Sequence, residues 1–171
     1  MPAATAAQQP SMSTDGRFVA FATTGFTTGG FQQVFLRDMC TGVASGCTPS
    51  TQLVSSPDGT TVGNADSSSP QASNNGQFVA FASNASNLVA SDTNGLEDVF
   101  VRNTCAGVTS SCTAKTLLAS VSSSGQQGNG ASLSPAISGD GHFVTFVSFA
   151  NNLVPLDVNG FEDIFLAVTT F

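Results

Sequence analysis

Asp15-Gly16-Arg17-Phe18-Val19-Ala20-Phe21, Asn75-Gly76-Gln77-Phe78-Val79-Ala80-Phe81 and Asp140-Gly141-His142-Phe143-Val144-Thr145-Phe146 are one heptapeptide written three times. Their glycines stand 60 and then 65 residues apart. Val34-Phe35-Leu36, Val99-Phe100-Val101 and Ile164-Phe165-Leu166 form a second block behind the first, with phenylalanines 65 residues apart both times. Cys40 and Cys47 recur at the same offset as Cys105 and Cys112, and Pro10, Pro70 and Pro135 each precede the glycine by six residues. Several landmarks in one order at one period define a repeat of about 60–65 residues. The units read as residues 1–9 (an N-terminal segment), 10–69, 70–134 and 135–171, the last unit incomplete.

The middle unit gives the local structure. Asn74-Asn75-Gly76 is a turn signal between Pro70-Gln71-Ala72-Ser73 and the run Gln77–Ser83. In that run Phe78 and Ala80 share one face while Val79 and Phe81 share the other, so both faces are expected to be buried. After a loop over Asn84–Glu97 comes a second two-faced strand, Asp98–Arg102. A turn bracketed by Cys105 and Cys112 then leads to a last strand, Lys115–Val121. No stretch has a helical period, so the chain is all-β, built of four-stranded antiparallel sheets. A small sheet that is apolar on both faces must lie between copies of itself. Radial stacking of such sheets is a β-propeller, with two complete blades and one incomplete. A two-sheet sandwich is the runner-up and predicts a cleaner in/out alternation.

Composition narrows the function. The 171 residues carry 40% hydrophobic and 9% charged residues, no Trp or Tyr, and 14 Phe. That is enough apolar content for a core. Net charge is −7 because Arg17, Arg37, Arg102 and Lys115 are the only cations. This excludes the basic footprint needed for nucleic acid and argues against docking on anionic lipid. No apolar run approaches the ~20 residues of a membrane span. Met1–Gln9 has neither the basic nor the apolar region of a signal peptide.

The cysteine pairs each bracket six small or polar residues. Two disulfides, Cys40–Cys47 and Cys105–Cys112, are the simplest reading. The alternative is a four-thiolate zinc site, for which the spacing is too wide. Disulfides imply an oxidising, extracytoplasmic location: secreted, periplasmic or at the cell surface.

The most chemical feature is a pair of loops of the form D-x-N-G-x-E-D. Asp92, Asn94 and Asp98, with the Leu96 carbonyl, offer hard oxygens around a tight glycine turn. Asp157, Asn159 and Asp163, with the Phe161 carbonyl, do the same. Calcium is the cation that such a set would hold, and it is the one cofactor the sequence suggests. The competing reading is an Asn-Gly turn closed by Asx-type hydrogen bonds. The corresponding segment of the first unit, Thr27-Thr28-Gly29-Gly30-Phe31-Gln32-Gln33, has lost every carboxylate, so the blade does not require them. His142, the only histidine, aligns with Arg17 and Gln77 and reads as an exposed strand-end residue rather than a base. No serine lies in G-x-S-x-G. Arg37 and Arg102 are expected to pair with carboxylates, and the phenylalanines to be core. No catalytic residues are assigned.

The pattern S-x-D-G-x-F-V-A-F-x-S, followed by N-L-V-x-x-D-x-N-G-x-x-D-V-F-V-R, resembles the TolB-like propeller repeats common in bacterial exported proteins. Ser13–Thr23, Ser73–Arg102 and Ser138–Leu166 carry it, except that Ala167 stands where Arg37 and Arg102 stand. The resemblance implies a propeller and a binding or scaffolding role without fixing one activity.

The third unit lacks a match for the last strand of the others, and the Ile164–Leu166 strand is expected to present an open edge. Either the chain is part of a larger propeller or chains associate. The expected function is a non-enzymatic module binding a protein or surface partner. A self-assembling structural subunit and an accessory piece of a secreted hydrolase are the alternatives.

Overall fold

The computed structural model describes residues 6–26 and 29–171. Part of the N-terminal segment, Met1–Thr5, and Thr27 and Thr28 of the first-unit loop lie outside the described residues. Among the described residues, eleven strands make three antiparallel sheets. Blade 1 holds β1 (Gln8–Met12), β2 (Phe18–Thr23), β3 (Gln33–Asp38) and β4 (Ser50–Leu53) in that order. Blade 2 repeats it with β5 (Ser67–Ala72), β6 (Phe78–Ser83), β7 (Asp98–Asn103) and β8 (Lys115–Leu118). Blade 3 has β9 (Ser132–Ile137), β10 (Phe143–Ser148) and β11 (Asp163–Val168). The fold is all-β, as the two-faced strands require, and its sheets are propeller blades that stack face to face.

The recurrent S-x-[DN]-G-x-F motif is a self-contained turn. Ser13 Oγ accepts from Phe18 N at 2.9 Å and donates to Asp15 Oδ1 at 2.6 Å, while Asp15 Oδ1 accepts from Arg17 N at 3.0 Å. Ser73 with Asn75, and Ser138 with Asp140, make the same three bonds. The hydroxyl and carboxamide or carboxylate thus satisfy backbone donors that the tight turn leaves free.

Each first strand starts two or three residues before its proline. The residue just before that proline, Gln9, Ser69 or Ser134, has φ of 54°, 52° and 52°. The register slips at the same place in all three blades. A bulge is where a residue without an N–H costs the ladder nothing, which is why proline recurs there.

Two apolar layers hold the blades together. Phe18, Ala20, Val34 and Leu36 of blade 1 meet Val79, Phe81 and Phe100 of blade 2. Phe78, Ala80, Val99 and Val101, on the opposite face of blade 2, meet Val144 and Phe146 of blade 3. Every residue of β6 and β7 is buried. Leu88 and Leu153, from the loops after β6 and β10, close the two layers. Backbone bonds continue the stack, Thr14 N donating to Asn74 O at 3.1 Å and Asn74 N to Gly139 O at 2.9 Å. Phe18 packs directly over Gly76 and Phe78 over Gly141, where an added Cβ would lie 2.4 and 2.2 Å from the rings.

Both faces of blade 2 are buried as expected, but the outer blades each keep one face open. The phenylalanines accordingly divide. Phe18, Phe78, Phe81, Phe100 and Phe146 are core, while Phe26, Phe31, Phe143, Phe149, Phe161 and Phe171 are substantially exposed. The arginines also depart from expectation. Arg102 is buried and donates to the Ser56 carbonyl and Thr116 Oγ1, both at 2.8 Å, spanning blades 1 and 2. Arg37 reaches Thr51 Oγ1 at 3.0 Å. Among the described residues the ion pair is instead Arg17–Asp38, bidentate at 3.0 and 2.8 Å. A carbonyl satisfies a guanidinium without the cost of burying a second charge, which suits the buried position of Arg102.

Candidate functional site

The open face of blade 3 is the largest departure from the rule that apolar strand residues are covered. Leu166 is 63% exposed, whereas Leu36 and Val101 at the same position of blades 1 and 2 are at 1% and 0%. Ile164 is 78% exposed against 0% for both Val34 and Val99. Phe143 and Val168 flank them and are exposed too. The face is therefore the half of a blade interface that Phe18, Ala20, Val34 and Leu36 form in blade 1. The exposed apolar residues are contiguous and set on paired strands.

Blade 1 keeps the opposite face open. Val19 and Phe21 are half-buried there. Phe26 covers Phe35 edge-on with ring centroids 5.2 Å apart and is itself exposed. These match the positions of Val79, Phe81, Phe100 and Leu88, all buried in the layer between blades 1 and 2.

The two acidic loops are built differently. In the second unit Gln127 inserts between the carboxylates, and its Nε2 donates to Asp92 Oδ1 and Asp98 Oδ2, both at 2.9 Å. Ser120 Oγ donates to the other Asp98 oxygen at 2.6 Å. Asn94 Oδ1 accepts from Leu96 N at 2.9 Å, and its Nδ2 donates to Gly128 O at 3.0 Å. Asp98 is fully buried, and burial pushes its carboxyl above the ordinary value against the donors that favour the anion. Burial likewise raises neighbouring Glu97.

In the first unit Gln33 replaces Asp98, and its own Nε2 reaches the Gly63 and Ala65 carbonyls at 3.1 and 2.9 Å. The longer side chain does alone what Asp98 does with Gln127. The sequence carried this signal, because Val62 stands at the Gln127 position only where Gln33 replaces Asp98.

The third-unit loop is open. Asn159 Oδ1 accepts from Phe161 N at 2.8 Å, and Asn159 Nδ2 donates to Asp163 Oδ2 at 2.7 Å. Asp157 lies in the same turn. Among the described residues no protein donor bridges Asp157 and Asp163.

Cys40–Cys47 and Cys105–Cys112 are disulfides with Cα atoms 5.8 Å apart, each closing the loop between the third and fourth strands. Asp38 Oδ1 accepts from Cys40 N, and Asn103 Oδ1 from Cys105 N. Asp38, Cys40 and Cys47 cluster closely, but sulfurs joined to each other are not thiolate ligands. His142 is exposed, and its backbone N–H donates to Asp140 Oδ1.

No family model matches the chain, and no curated protein matches it. Among solved structures, the chain is similar to TolB from Acinetobacter baumannii, with 14% identity and a TM-score of 0.33, over 98% of this chain and 45% of that one. It is also similar to a putative TolB from Agrobacterium tumefaciens, with 13% identity and a TM-score of 0.36, over 96% of this chain and 76% of that one. The chain thus spans less than half the length of the first of these. No helix among the described residues is long and apolar enough to cross a membrane.

Proposed function

We propose that the chain is a non-enzymatic, extracytoplasmic propeller module whose work is to bind a protein partner through the open face of blade 3. The observation that carries this reading is the row Phe143, Ile164 and Leu166, left in solvent at positions that are buried where a further blade covers them. The two disulfides support the oxidising location. The net charge of −7 favours a protein over nucleic acid or anionic lipid.

The test is dye binding and stability together. An environment-sensitive apolar dye should fluoresce on the dilute native chain, and Leu166→Lys should remove most of that signal without lowering the melting temperature. Dye binding unchanged by Leu166→Lys would refute the assignment of the face.

A second reading, in which the partner is another copy of the chain, has its own observation. Phe18 sits on Gly76 and Phe78 on Gly141, whereas Phe143 is exposed and Gly16 has only Met12 Sδ nearby, at 3.9 Å from an added Cβ. The open faces of blades 3 and 1 are the two halves of the interface already made twice inside the molecule. Docking one on the other is heterologous, and closure after two chains would give six blades, within the usual range.

Calcium belongs to this reading as a stabiliser at the acidic loops. The Asp157–Asp163 loop is the stronger candidate, because the Gln127 amide already serves the Asp92 and Asp98 carboxylates.

A further inference from the structure

We propose that Asp38, Cys40 and Cys47 form a site for a divalent cation of the zinc class, shut while the disulfide is intact and opened by a dithiol reductant. The inference is independent of the proposed function, and its three ligands all belong to blade 1.

Among the described residues, these are the one group of three His, Cys, Asp or Glu side chains whose ligand atoms all lie within 4.8 Å of one another. The fold sets them together. β3 ends at Asp38, Cys40 turns the chain with φ of 58°, and Cys47 returns just before β4. Asp38 Oδ1 accepts from Cys40 N at 2.8 Å, which fixes the carboxylate against the loop. Its other oxygen stands 3.8 Å from Cys47 Sγ. Zinc bonds of about 2.3 Å to sulfur and about 2.1 Å to oxygen put a tetrahedral sulfur–oxygen edge at about 3.6 Å. These two atoms therefore already stand near the spacing of ligands on one ion. Arg17 lies beside them, its Nη2 2.8 Å from Asp38 Oδ2 and 4.0 Å from Cys47 Sγ. Two thiolates and a carboxylate around a doubly charged cation leave one negative charge, which that guanidinium balances. A neighbouring cation also favours thiolate over thiol.

Blade 2 has the same loop without the charges. Cys105 and Cys112 repeat the pair, but Asn103 stands at the Asp38 position and Gln77 at the Arg17 position. Asn103 Oδ1 accepts from Cys105 N at 3.1 Å and lies 3.6 Å from Cys112 Sγ. The geometry is kept with a neutral carboxamide, so the loop needs neither Asp38 nor Arg17 to fold. A carboxamide is not among the usual ligands of zinc, whereas a carboxylate is.

Opening is thiol–disulfide exchange. The dithiol gives up two electrons and two protons as its S–H bonds break and its own sulfurs join, while the Cys40–Cys47 bond becomes two thiols. Those thiols release both protons to solvent as the ion binds. The blade does not depend on the closed loop. Residues 41–46 are all exposed, and β3 and β4 stay joined by four residue pairs from Phe35–Leu53 to Asp38–Ser50.

The test uses the 171-residue chain with Cys105→Ser and Cys112→Ser, so that one pair remains. The chain is reduced with a dithiol, desalted without oxygen, and titrated with Co²⁺ and then Zn²⁺. One Co²⁺ per chain should bind with a sulfur-to-cobalt charge-transfer band in the near ultraviolet, and one Zn²⁺ should displace it. The oxidised chain should give no such band. Asp38→Asn should weaken binding at least about tenfold. A gain of function needs no loss in blade 1: Gln77→Arg with Asn103→Asp, in the reduced chain with all four cysteines, should give two tight sites where the parent gives one. An affinity that Asp38→Asn leaves unchanged, no charge-transfer band in the reduced chain, or equal affinity of the two parent loops would overturn the inference. So would loss of the native circular dichroism on reduction alone.

Discussion

Gly76→Ala tests the contact on which the stacking of blades depends, and Gly16 supplies the control. Both glycines have φ of 71°, so alanine at either one pays the same left-handed backbone cost of roughly 1–2 kcal/mol. They differ in what the new methyl meets. At Gly76 it would lie within 2.6 Å of three atoms of the Phe18 ring and side chain, and Phe18 is buried in the first core layer. Forcing that ring aside is an overpacking change of about 1–3 kcal/mol. At Gly16 the nearest atom is the end of a flexible methionine at 3.9 Å. With about 2–4 °C of melting temperature per kcal/mol at this chain length, Gly76→Ala should lower the midpoint by roughly 6–15 °C and Gly16→Ala by roughly 3–6 °C. Thermal melts by circular dichroism, at equal low protein concentration and pH, make the comparison. Equal losses would refute the close packing of Phe18 on the next blade's turn. A Gly16→Ala cost that grows with protein concentration would instead place another copy's Phe143 on Gly16.

Other outcomes follow from the same geometry. Val101→Lys buries a charge between blades 2 and 3 and should cost at least about 4 kcal/mol. Leu166→Lys, at the same blade position, should leave the midpoint within about 2 °C; urea unfolding reads both. The Arg17–Asp38 bond holds the Asp38 carboxyl below its ordinary 3.8, so the stability it contributes is present above that pH and lost as the pH falls below it. Asp38→Asn should therefore destabilise by about 1 kcal/mol at neutral pH, and the gap from wild type should close in melts carried into the acid range below 3.8. For calcium at the Asp157–Asp163 loop, a dissociation constant on the order of 10⁻⁴–10⁻³ M gives about 0.4–1.4 kcal/mol at about 1 mM ion, a rise of roughly 1–6 °C over chelated protein. No shift, or a shift that Asp163→Asn leaves intact, would remove calcium from the account.

The sequence exposed those features that each unit must repeat to fold. Phe78-Val79-Ala80-Phe81 is apolar on both faces because blade 2 lies between two others, and the period of its landmarks was enough to infer stacked sheets. The disulfides were legible because six residues of small and polar character separate each pair. Exposure was not legible. Ile164-Phe165-Leu166 reads like Val99-Phe100-Val101, since a residue's neighbours across a blade interface leave no mark on its own identity. The partner of Arg102 is hidden for a related reason. Its acceptor, the Ser56 carbonyl, is backbone 46 residues away, and a carbonyl has no sequence signature. The acidic loop of the second unit was half legible: its carboxylates stand out, while the amide that joins them comes from Gln127, some 30 residues on. Only the paired change of Gln33 with Val62 against Asp98 with Gln127 betrays it. The left-handed residues Gln9, Ser69 and Ser134 were hidden because the bulge they form is set by the strand opposite.

Side-chain oxidation by hydroxyl radicals, read by mass spectrometry on the dilute native chain, measures the open face most directly. Ile164, Leu166 and Phe143 should be modified many times faster than Val99, Val101 and Phe78, which hold the same positions one blade earlier, and the difference should shrink when a partner covers the face. Equal and low modification of all six in the dilute chain would contradict an open third blade and the docking role drawn from it.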